Sequence, residues 1–214
     1  MTTLGLSCLS VVSAIGQGQV NFVNHVGVTF ATSANRYVYV NAVGPGATNP
    51  SFPNLSGSGD PNRLTGTTFV AGLWYLAGAN RDGEISTATQ AGRLYNFRLP
   101  TTAEQNRGTW VVPIGASSLF TLDGVNPGGV ATLQVRVWDS AKYSSFESAV
   151  AGGEFGASAP FNYTAPVAGE PNPDAYYMDN LRAFAIVPEP STIFLGILGA
   201  GSLLLLRRAG RIGP

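Results

Sequence analysis

Apolar and polar residues alternate with a period of two along much of the chain interior, the spacing of strands that turn one face inward. In residues 131–138, Leu133, Val135 and Val137 share one side and Thr132, Gln134, Arg136 and Trp138 the other. The first set is expected in the core and the second outside it. In 93–99 the same pattern turns Tyr95, Phe97 and Leu99 inward and Asn96 and Arg98 outward. Residues 67–76 are apolar on both sides, with Phe69, Leu73 and Tyr75 against Val70, Trp74 and Leu76, as in a central strand covered on both faces or a sheet edge under a loop. Further strands are expected at 20–23, 26–30, 36–41, 109–112, 161–163 and 181–186, and a short helical turn near 143–150. Gly, Pro and Asn cluster at 43–62 and 168–174, which are loops by composition. With no alternation of strands and helices, the fold class predicted for residues 19–187 is all-β, an antiparallel β-sandwich of jelly-roll type.

The pattern breaks at both ends. Residues 1–18 have an apolar centre from Leu4 to Ile15, then small residues and a polar junction, the order of a secretory signal peptide with cleavage expected between Ala14 and Gln19. A basic start is missing, so the segment reads as a signal truncated at its beginning, with an apolar first strand as the alternative. At the other end, Ile193 to Leu206 carries no charge and is followed by Arg207, Arg208 and Arg211. As a helix over about 192–206 it would be roughly 21–24 Å long, short of the ~30 Å hydrocarbon core, so spanning would need snorkelling arginines or local thinning. The basic cluster predicts the tail in the cytoplasm and the body outside.

Composition narrows the functional classes. The 214 residues include 27 Gly and 14 Pro, 10% are aromatic, only 11% are charged, and the net charge is zero, a mix suited to a turn-rich β protein and unlike that of a disordered chain. Residues 188 onward hold three arginines and one glutamate, leaving nine basic and eleven acidic residues in the rest. Nucleic acid is therefore not an expected partner. Cys8 is the single cysteine and His25 the single histidine, so no cofactor, zinc site or Ser-His-Asp centre is expected, and no enzymatic role is assigned. Asp139, Glu147, Glu154 and Asp179 could supply the paired carboxylates of a glycosidase if two of them faced each other across a cleft. Asn80 to Glu84 has a faint calcium-loop look that a plain turn explains better. Tyr37 and Tyr39, opposite Val38 and Val40, and Trp138 on its polar face are candidates for stacking on sugar rings.

Val187-Pro188-Glu189-Pro190-Ser191-Thr192, the apolar run, and Arg207-Arg208-Ala209 together resemble the PEP-CTERM sorting signal of Gram-negative exported proteins. The resemblance covers residues 187–211, with 188–211 as the signal proper. It implies that Pro188, Glu189 and Pro190 are a processing motif for an exosortase, a membrane-embedded cysteine transpeptidase. It also implies that the helix is a transient inner-membrane anchor and that Arg207, Arg208 and Arg211 stop transfer. Two prolines keep the motif extended and out of the helix, which suits an enzyme that must grip backbone. The body is loosely similar to secreted proteins that carry this tail in Verrucomicrobia-like bacteria, on Gln19-Val20-Asn21-Phe22, on 133–139 and on Ser145-Phe146-Glu147. The expected role is a structural or adhesive protein of the envelope or extracellular matrix in contact with exopolysaccharide, with a carbohydrate-binding module as the alternative and a carboxylate-pair hydrolase behind it.

Overall fold

A computed structural model of the protein describes residues 17–24, 35–40 and 62–187. The N-terminal apolar segment, the expected strand at 26–30, His25, and the tail with its Pro-Glu-Pro motif and basic cluster lie outside the described residues. What is described is mostly β-sheet with little helix. Among the described residues no helix is long and apolar enough to cross a membrane.

The sheet is built on one long antiparallel pair, β3 (Phe69–Ala77) and β6 (Val130–Asp139), in continuous register from Phe69 opposite Asp139 to Ala77 opposite Ala131. β4 (Thr89–Asn96) lies on the other side of β3. The second edge of β6 is shared by β8 (Phe161–Thr164), which pairs residues 130–133, and β7 (Phe155–Ala157), which pairs 136–138. Three residues, 158–160, face two of β6 at the join. Ser158 carries the ladder across this bulge: its N–H donates to Val135 O at 2.9 Å, its Oγ accepts from Val135 N at 3.0 Å, and its carbonyl accepts from Gln134 Nε2 at 3.1 Å. β9 (Phe184–Val187) adds to β7, and β2 (Val38–Tyr39) adds to β9 in parallel, so the large sheet is mixed where an antiparallel one was expected. β1 (Gly18–Asn21) and β5 (Leu119–Leu122) form a separate antiparallel pair.

Both faces of the β3–β6 pair are covered. On one, Leu73, Tyr75, Leu133, Val135 and Val137 meet Val20 and Phe22 from the β1 side and Phe120 and Leu122 of β5 in the main core. Phe22 stacks on Trp110 at 4.6 Å between centroids and touches Tyr95 and Phe120. On the other face, Val70, Trp74 and Trp138 lie under α1 (Phe146–Gly152), which buries Phe146 and Ala149 one turn apart. α1 forms where the helical turn was expected because Ser145 and Ser148 close a reciprocal capping box and Gly153 ends it in the left-handed region at φ 80°.

Several expectations are corrected. Thr132, Gln134, Arg136 and Trp138 are buried, because α1 and the 3-10 turn Asp82–Thr87 cover their face. Leu99 is 57% exposed, since β4 ends at Asn96 and the chain turns at Pro100. Residues 109–112 make one bridge, Trp110 to Phe97, and no strand. β5 and β7 were not anticipated.

Candidate functional site

The three rings singled out for sugar stacking do not form a platform. Tyr39 is fully buried and packs with Ala183 and Ala185, and its hydroxyl accepts from Asn35 Nδ2 at 2.8 Å. Tyr37 is half-buried beneath Arg63, whose guanidinium carbon sits 3.7 Å from the ring centroid. Trp138 is 3% exposed, packs against Trp74 and Phe146, and donates its indole N–H to Tyr143 O at 3.1 Å. The Tyr39 and Trp138 rings are spent inside the protein, one face of Tyr37 is taken by Arg63, and Trp138 lies on β6, a different strand from Tyr39 on β2.

Nor do the candidate carboxylates oppose one another across a cleft. Glu154 binds Lys142 Nζ at 2.7 Å and Asp179 lies 3.7 Å from Arg36. Glu147, at the surface, lies 3.9 Å from Arg136. Asp139 is buried and accepts from Ala141 N at 3.0 Å. The Asn80–Glu84 stretch enters a 3-10 turn in which Arg81 Nε donates to Glu84 Oε1 at 3.1 Å. Among the described residues no group of three or more His, Cys, Asp or Glu side chains is placed to hold a metal.

Two arginine environments stand out. Arg136 is 5% exposed, with its guanidinium carbon 4.8 Å from the Trp74 ring and 4.9 Å from that of Phe146. It donates to Gln134 Oε1 at 2.8 Å and to Ile85 O at 2.6 Å, tying β6 to the 3-10 turn. Burial lowers its pKa, with Glu147 opposing. This arginine is a structural clamp, enclosed by its ring and hydrogen-bond partners.

The second environment is a groove of about 750 Å³ where β4 ends, lined by Thr67, Asn96, Phe97, Arg98, Leu99, Thr101, Thr102, Val111 and Pro113. That volume falls in the range of about 300–1,000 Å³ usual for small-ligand sites. Arg98 is held from behind: its Nε donates to Thr109 Oγ1 at 2.9 Å, and that hydroxyl donates to Asn106 O at 2.6 Å. Asn96 Nδ2 donates to Thr67 O at 2.7 Å. Asn96 and Arg98 were expected to point outward, and they do; the threonines after Pro100 gave no comparable signal because they lie in a turn rather than in a periodic segment. No family model, no curated protein and no solved structure matches the chain.

Proposed function

We propose that the protein is exported, held for a time in the inner membrane by its C-terminal segment, processed by an exosortase near Pro188-Glu189-Pro190, and released to the envelope or extracellular matrix. There it has a structural or adhesive role in contact with exopolysaccharide. One observation carries the reading: the order of Pro-Glu-Pro, apolar run and arginine cluster, which in the sequence directly follows the last strand of the described residues. β9 ends at Val187, paired with Phe155, and the next residue is Pro188, which has no N–H to continue the ladder. Cleavage beyond that point would leave every strand of the described residues in place. At the other end Gly18 is buried in β1 and donates its N–H to Val125 O at 2.6 Å, so a signal cleavage that spares the sheet lies before Gly18.

The β1–β5 pair faces the large sheet across the main core, and we read the arrangement as a lopsided, jelly-roll-like sandwich. Such a body suits a passive extracellular part, being near neutral and closed on its core without a disulfide. The test is localisation in the native host with and without its exosortase. Extracellular protein that becomes membrane-retained when the enzyme is deleted is expected; the same distribution in both strains would overturn the reading.

A further inference from the structure

The geometry points to the groove at the end of β4 as a binding site for an acidic sugar unit, a uronic acid residue of a polysaccharide, with Arg98 taking its carboxylate. This names the ligand class and rests on the proposal that the protein works in contact with exopolysaccharide.

Charge is the first argument. Arg98 is anchored through Nε, and its terminal nitrogens have no acceptor among the described residues. Among the described residues no carboxylate lines the groove. A cation fixed from behind and open in front calls for an anion, and the planar fork of a guanidinium matches a carboxylate in bidentate fashion. The neighbours argue for a sugar. Among the described residues neither Asn96 Oδ1, whose amide nitrogen is fixed to Thr67 O, nor the Thr101 and Thr102 hydroxyls make a hydrogen bond, which leaves them to meet sugar hydroxyls. Leu99, more than half exposed, supplies an apolar wall for the C–H face of a ring.

The backbone argues against a peptide joining the sheet here. Asn96 O accepts from Val111 N at 2.9 Å, Phe97 N donates to Phe69 O at 3.0 Å, Arg98 N donates to Thr109 O at 3.4 Å, and Arg98 O accepts from Gly66 N at 2.8 Å. The main chain beside the groove is already used, so β-strand addition has no ladder to extend. What faces the groove is side-chain hydroxyl, carboxamide and guanidinium, the set that reads hydroxyls and a carboxylate.

The test is titration of the full chain, in mild detergent, with an oligogalacturonate and with a neutral malto-oligosaccharide of the same length. Binding of the acidic oligomer alone is expected, weakened at least about tenfold by Arg98→Gln and largely retained in Arg98→Lys. Leu99→Glu, a change at an exposed position, places a carboxylate in the groove and should weaken binding to a similar degree; it decides the matter if Arg98→Gln loses the native emission of Trp110. The inference is overturned if the two oligomers bind alike, if neither binds, if an oligoglutamate of equal charge binds as well as the uronate, or if a folded Arg98→Gln or Leu99→Glu variant binds as wild type does. Exosortase-dependent release without uronate binding would sink the groove and leave the proposed function standing. Uronate binding by a chain that is never released would do the reverse.

Discussion

Replacing Arg136 should destabilise the protein more than any exposed ion pair could. Alanine at this position withdraws charged donors from Gln134 Oε1 and Ile85 O and empties the slot between the Trp74 and Phe146 rings. Hydrogen bonds to a charged group contribute about 1.5–3 kcal/mol each and a desolvated cation–π contact about 2 kcal/mol. Against these stands the cost of burying the guanidinium, which the variant no longer bears. A net loss of about 3–4 kcal/mol is expected for Arg136→Ala, a large share of the roughly 5–15 kcal/mol typical of a domain. Arg136→Met fills the slot and leaves only the two acceptors unserved, so it should lose about 2 kcal/mol. Glu147 is 3.9 Å from the guanidinium with 73% of its side chain exposed, and Glu147→Gln should cost under about 0.5 kcal/mol. Urea denaturation followed by the emission of Trp74 and Trp138 measures all three. If Arg136→Ala loses less than about 1 kcal/mol, or Arg136→Met is more stable than wild type, the guanidinium is a burden on the fold and the clamp reading is wrong.

Gly92 sits at φ 58°, and a Cβ there would lie 2.5 Å from the Phe120 ring; Gly92→Ala should cost about 2–4 kcal/mol in denaturant titration, and a loss under about 1 kcal/mol would refute the tight packing of β4 on β5. Tyr163 donates to Gln19 O at 2.6 Å, and burial pushes its phenol well above the ordinary tyrosine range. Its contribution is therefore full below the unfolded value and lost as pH rises above it. In alkaline titration part of the tyrosinate signal should appear only with unfolding, and that part should shrink by one tyrosine in Tyr163→Phe; free ionisation of all tyrosines before unfolding would contradict this. The Arg81 hydrogen bonds hold the Glu84 carboxyl below the usual carboxylate range. That contribution is present above the unfolded value and lost as pH falls through the lower folded one, so Glu84→Gln should narrow the gap in stability between neutral and acid pH. An unchanged gap would rule the pair out as a contributor.

The elements legible in the sequence were those whose pattern is local. Period-two alternation located β6 and its core residues Leu133, Val135 and Val137, and the two-sided apolar run narrowed β3 to a central strand or a covered edge, of which the structure has the first. What hid the rest was cover supplied from far along the chain. Gln134, Arg136 and Trp138 read as a solvent face because nothing near them shows that residues 82–88 and 146–149 close over it. β7 is three residues with a central glycine, too short for any period to register, and β5 offers a single alternating pair, Phe120 and Leu122. Leu99 continued the alternation of β4 on paper, yet the turn at Pro100 takes it out of the sheet. For the groove, Arg98 was legible as outward-facing, but its backing by Thr109 comes from residues 109–113 folding against the strand end.

The claim that the protein is an exported, processed envelope component is tested most directly by the intact mass of the form found outside the cell. A chain that keeps β9 and ends in or just beyond the Pro188-Glu189-Pro190 motif, having lost the apolar run and the arginine cluster, is the expected result. A species of full mass, with Arg207, Arg208 and Arg211 still attached, would contradict it.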